Sequence, residues 1–165
     1  MFSVEENLRL MKMLHDAWNA QDWDQFMKLH AEKVAVYWPG QAEPTRGRTA
    51  HRLKGEEFFK TFPDNRVENN PYLVLFGQGD WTCSIGIMSG TRRGPMPGPG
   101  GSEIPATNRP FRMEFCTVAR WKNGEIIEER LFYDPTAMMR QLGPRPEPEG
   151  GAGCDPELSS MGRRR

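Results

Sequence analysis

At 165 residues the chain is one domain's worth, long enough to bury a core of its own. Its 22 basic and 22 acidic residues cancel, which argues against steering towards nucleic acid or an anionic membrane. No apolar run approaches the roughly 20 residues that a membrane span needs, and the three cysteines lack a C-x-x-C spacing, so free thiols in a reducing cytoplasm are expected.

The first residues, "MFSVEENLRLMKML", carry acids and lack the pattern of a signal peptide. Ser3 and Glu6 have capping-box spacing, and Leu8, Met11, Leu14 and Trp18 follow at helical intervals. "NAQD" breaks that helix, and Asp22 is placed to cap a second one carrying Trp23, Phe26 and Leu29. "VAVYW" (34–38) reads as a strand, stopped by Pro39 and Gly40 before a polar loop. A third helix over 49–62 is expected to turn Leu53, Phe58 and Phe62 inward.

Strands are expected over 66–76, 81–92, 109–121 and 125–133, the last two joined by the hairpin turn "KNG". Between the second and third of these lies "RGPMPGPGGSEIPATN", whose prolines remove the backbone donors of a phosphate cradle, so it reads as a loop or lid. Helices first and strands after them indicate an α+β fold, with helices on one face of a curved, largely antiparallel sheet. Residues 1–143 form the domain, and 144–165, rich in proline and glycine, form a C-terminal tail with little regular structure.

Most motifs that carry chemistry are missing from the sequence. His15, His30 and His51 fall on three different predicted helices without H-x-x-x-H spacing, which gives no support for a metal site. Dinucleotide, P-loop and nucleophile-elbow motifs are missing. What remains is charge in strands. Alternation along 125–133 puts Ile126, Glu128, Arg130, Phe132 and Asp134 on one face and Ile127, Leu131 and Tyr133 on the other. Both sets are apolar enough to face inward. Asp134, immediately before Pro135, is either a helix cap or a pocket carboxylate.

Over residues 5–143 the chain resembles the SnoaL-like polyketide cyclase and ester cyclase branch of the nuclear transport factor 2-like superfamily. The resemblance rests on "AWNAQDWDQFMKLHAEKV", "RGRTA", "FFKTFPD", the "SGT" strand and the closing "KNGEIIEERLFYDP" and "MMRQLG". It implies a cone-shaped sheet wrapped around the N-terminal helices, with a deep pocket at the open end. It further implies cofactor-independent removal of a proton next to a carbonyl, by cyclisation or isomerisation. By position Asp134 is the implied base, with Arg92 (in "GTRRG", where relatives have histidine) and Arg130 (where relatives have tryptophan) beside it. Trp38, Met88, Glu114 and Phe132 are the implied pocket residues. Two arginines would suit an anionic small molecule. A non-catalytic ligand-binding or dimerisation module is the second reading, and epoxide hydrolysis ranks last for want of a second aspartate. An apolar outer sheet face implies a homodimer.

Overall fold

The computed structural model describes residues 2–143, so the tail and Cys154 lie outside the described residues. Helix α1 (Val4–Ala20) opens on the expected capping box: Glu6 N donates to Ser3 Oγ, and Ser3 N donates to the Glu6 carboxylate. Gln21 ends it in the left-handed region, and Asp22 caps α2 (Trp23–Lys28) by accepting from Gln25 N. Strands β1 (His30–Tyr37) and β2 (Thr45–Arg46) precede α3 (Arg48–Thr61). After β3 (Arg66–Val67), β4 (Val74–Gln78) and β5 (Trp81–Thr91) form a hairpin. The Pro/Gly stretch folds into a small hairpin of β6 (Met96–Pro97) and β7 (Glu103–Ile104). The long strands β8 (Pro110–Lys122) and β9 (Glu125–Phe132) follow, and α4 (Pro135–Leu142) closes the fold.

The main sheet runs β2-β1-β9-β8-β5-β3, with β4 also on β5. Its pairings are antiparallel except β1 with β9, which is parallel. The fold is therefore α+β, a curved sheet with α1, α2 and α3 on its concave side. At the β8–β9 turn Asn123 and Gly124 both have positive φ, as the "KNG" signal implies. One feature of α3 departs from expectation: Leu53 is 54% exposed, and the helix turns His51, Gly55 and Phe59 inward instead. Gly55 sits against the rings of Trp18 and Trp23, which leaves no room for a side chain there.

Strand alternation is broken within β9. On β9 the register to β8 runs Arg120↔Glu128 and then Trp121↔Ile126, so one extra residue bulges out of β9. Ile126 is buried, Ile127 and Glu128 are half-buried, and then Glu129 and Leu131 are buried. The bulge thus switches the inward face from even to odd numbers. Arg130 and Phe132 end up on the outer surface, contrary to a reading that carries one parity through the strand, and Glu129 enters the core. β1 has an irregularity at the same level, between His30 and Ala35.

Candidate functional site

The concave face and the helices enclose a cavity of about 40 Å³. Its walls are largely aromatic, with Trp18, Phe26, Trp38, Phe58 and Phe115 among the lining residues. The polar groups on it are His15, His51, Thr117 and Glu129. A volume of this size holds a few water molecules, whereas small-molecule sites run to several hundred Å³. The aromatic side chains would have to swing for a substrate to enter.

Three elements bring one polar cluster together: His30 from the start of β1, His51 from α3 and Glu129 from the bulged part of β9. All three are buried. His30 Nε2 lies 3.4 Å and His51 Nε2 3.0 Å from Glu129 Oε2. Both contacts are at ion-pair distance, but the alignment on Oε2 and on His30 Nε2 falls short of a hydrogen bond. His30 Nδ1 donates to the Phe26 carbonyl at 2.7 Å, which fixes its tautomer because a carbonyl oxygen only accepts. Burial alone would raise the Glu129 carboxyl, but His30 and His51 outweigh it and hold the group well below the usual carboxylate range. Burial pulls His51 down, against the opposing pull of Glu129. His51 is therefore neutral and Glu129 ionised at neutral pH. Each of the three groups offers a metal-ligating atom, and these atoms lie within 4.8 Å of one another.

Two further atoms on this side are unpaired. His51 Nδ1 and Trp38 Nε1 are buried without hydrogen-bond partners, and their rings lie 5.7 Å apart between centroids. His15 is different: its Nδ1 lies 2.7 Å from the Tyr72 hydroxyl and its Nε2 3.2 Å from the Thr117 hydroxyl. Tyr72 donates to the Met11 carbonyl, so it accepts from His15 Nδ1–H, and Thr117 donates to Nε2. His15 is thus a satisfied core histidine, pushed down from 6.5 to about 4 by burial.

The residues named from sequence scatter. Trp38 and Met88 do line the cavity. Asp134 does not: it is exposed, and its Oδ1 caps α4 by accepting from Thr136 N and Ala137 N at 2.9 and 3.0 Å. With Glu114 and Phe132 it borders an open depression that shares no lining residue with the cavity. Arg130 pairs with Glu128 (Nε to Oε1 2.8 Å) and stacks over Tyr37 at 4.2 Å, on the outer side. Arg92 is fully buried beneath the small hairpin, where Nη2 donates to the Ile104 carbonyl at 3.0 Å. Neither arginine lines the cavity, which removes the basis for an anionic ligand.

Sequence reasoning missed His30, His51 and Glu129. No spacing rule could have found them, since they come from three elements and Glu129 depends on the bulge. The available signal was weaker: "IIEER" offers two adjacent acids in a strand, one of which must face inward.

A model of the SnoaL-like polyketide cyclases matches residues 8–142. The fold is similar to that of a candidate SnoaL-like polyketide cyclase of Jannaschia sp. CCS1 (20% identity, 84% of this chain and 92% of that chain, TM-score 0.73). It is also similar to TsrD of Streptomyces laurentii (21% identity, 87% and 98% covered, TM-score 0.71). A third likeness is to IdmH of Streptomyces antibioticus, a candidate polyketide cyclase (23% identity, 82% and 97% covered, TM-score 0.67). No curated protein is significantly similar to the chain.

Two outcomes follow from these placements. Because His15 is depressed in the fold, the unfolded chain binds a proton between about pH 6.5 and 4 that the folded chain refuses. That stability is complete above 6.5 and falls as pH drops, by about 2 kcal/mol at pH 5. Urea melts at pH 7.5 and 5.0 should show the loss, and His15→Gln, which keeps polar atoms for Tyr72 and Thr117, should reduce it, leaving the part that the depressed His51 contributes. Asp134→Ala should cost about 1 kcal/mol as a lost cap, and an unchanged melting temperature would contradict the capping role.

Proposed function

The chain belongs to the SnoaL-like polyketide cyclase family, and from that premise we propose a small-molecule enzyme of the cyclase or isomerase type that removes a proton next to a carbonyl inside the aromatic cavity. One observation carries this reading: His51 Nδ1 and Trp38 Nε1, both buried and without partners, belong to side chains that line one largely apolar chamber, and with its Nε2–H turned to Glu129 the neutral His51 ring carries a lone pair on Nδ1.

A carbonyl compound admitted there finds a base and a hydrogen-bond donor on the same side. His51 Nδ1 accepts the proton from the α-carbon. Glu129, facing Nε2 at 3.0 Å, orients the ring and stabilises the imidazolium that forms. Trp38 Nε1 donates to the oxygen on which negative charge develops. Because the walls are apolar, that charge is not screened by water, and each of these interactions is stronger than it would be in solution. The resulting enolate attacks a second carbonyl of the same substrate in a cyclase, or is reprotonated at another carbon in an isomerase. The chamber suits a neutral, flat, carbonyl-rich molecule.

Deuterium exchange at the α-carbon of an aryl 1,3-diketone, followed by NMR, tests the chemistry without the natural substrate. The unsubstituted chain should accelerate exchange. Trp38→Phe, which removes only the N–H and little volume, should lower the rate roughly a hundredfold. His51→Gln should lower it by a similar or larger factor, and Asp134→Asn should leave it unchanged. Loss of exchange in Asp134→Asn alone would return the base to the outer site. Binding of the diketone with no exchange would mark a ligand-carrying module instead of an enzyme.

A homodimer and a cytoplasmic location belong to the same proposal. No described helix is long and apolar enough to cross a membrane. Leu73, Val74, Leu75 and Phe76 are all exposed, Phe76 at 57%, and β4 pairs only with β5 among the described residues. A second copy of the chain, meeting this edge and the apolar outer face beside it, would cover them. Light scattering should return the mass of two chains, and Phe76→Glu should halve it. One chain's mass for the unsubstituted protein would refute the dimer.

A further inference from the structure

The cluster around Glu129 contains a mismatch of donors and acceptors. His30 Nδ1 carries its hydrogen, because its partner is the Phe26 carbonyl. In the neutral ring Nε2 is then a lone pair, and it faces Glu129 Oε2, which in a carboxylate is another acceptor. His51 Nε2 faces the same oxygen. Neither His30 Nε2 nor Glu129 Oε2 has a hydrogen-bond partner, although both are fully enclosed. Two buried acceptors at contact distance require an electron-pair acceptor between them, either a proton or a cation.

The longer His30 separation favours the cation. A charge-assisted N–H···O bond contracts to about 2.7–2.9 Å. Two donor atoms that each sit about 2.1 Å from one metal ion lie about 3.4 Å apart at a tetrahedral angle and about 3.0 Å apart at a right angle. The separations here are 3.4 Å for His30 and 3.0 Å for His51, and all three ligating atoms lie within 4.8 Å of one another. Both histidine–carboxylate pairs are spaced as ligands of one ion are spaced.

We propose that His30, His51 and Glu129 form a binding site for a single divalent ion of the Zn²⁺ class, with one coordination position open to the aromatic cavity. Two imidazoles and one carboxylate are a borderline donor set, suited to zinc or cobalt and poor for magnesium or calcium, which take oxygen ligands. The supporting contact is present as well: the His30 Nδ1–H bond to a backbone carbonyl is the arrangement that orients metal-bound histidines. Entry is through the cavity, which His51 and Glu129 both line. The ligands are anchored on a strand, a helix and a second strand, so the site is rigid although its sequence spacing is uninformative.

Occupancy has a chemical consequence. An ion on His51 Nε2 forces that ring's proton onto Nδ1, and the lone pair facing the cavity disappears. The metal-loaded chain is therefore inhibited in the proton transfer described above, and this clause alone rests on that reading.

The test uses the full chain, stripped with a chelator and titrated with Co²⁺. The visible bands of low-coordinate cobalt should appear and saturate at one ion per chain, and Zn²⁺ should bleach them by displacement. In nitrogen-15 spectra of the histidine rings, Zn²⁺ should shift Nε2 of His30 and His51 and leave His15 unmoved. This readout needs no variant and so survives if a substitution unfolds the core. Where folded, Glu129→Gln should weaken Co²⁺ binding by at least roughly tenfold. Absence of cobalt bands, or shifts at His15 with His30 and His51 unchanged, would overturn the site. Loaded protein that exchanges the diketone as fast as stripped protein would overturn the inhibition. Stripped protein with no exchange activity refutes the proton-transfer reading and leaves the metal result standing.

Discussion

A carboxylate taken out of water costs several kcal/mol unless cations or hydrogen-bond donors go with it. Glu129 is only 3% exposed, and its Oε2 faces the two imidazoles. Much of the fold is arranged to keep that group where it is. α3 presents His51 towards the sheet, the end of α2 leads into His30 at the start of β1, and the β9 bulge turns the acid inward. The helices and the central strands thus meet at one oxygen. Removing either histidine would strand the charge, so cavity and core depend on the same contact.

The aromatic packing around this point has a related effect. Phe26 stacks near both imidazoles, at 4.5 Å from His30 and 5.0 Å from His51, and its own carbonyl fixes the His30 tautomer. Trp38 closes the other side of His51. Low-polarity walls strengthen whatever electrostatics remain inside. The price is a chamber of about 40 Å³, which only side-chain motion could enlarge. The small β6–β7 hairpin, pinned from beneath by Arg92, is a separate piece of architecture with no residue in the cavity lining.

The sequence made much of this legible. The Ser3/Glu6 box, the Asp22 cap, the Asn123–Gly124 turn and the order of helices before strands each follow from local rules, and each is present. Trp38 and Met88 were identifiable as cavity residues through family likeness. The acid was not. Alternation of faces assumes an unbroken ladder, and one extra residue near Ile127 reversed the assignment of everything after it. Asp134 kept the role that its own dipeptide with Pro135 announces, a cap. His30 and His51 were unreadable for another reason: convergence in space leaves no spacing along the chain.

The same extra residue has a meaning for how such a chain can change over time. In an uninterrupted hairpin, adding or losing a residue near the turn rotates every later side chain to the opposite face. Here the slack near Ile127 separates the "KNG" turn from the stretch Glu129–Leu131, whose phase is held independently by the parallel neighbour β1 through Val36↔Glu129 and Tyr37↔Arg130. Length variation at the tip can be absorbed by sliding the irregularity, with the acid still facing inward. The tip is thereby free to drift across descendants of this sequence while the buried acid stays in step.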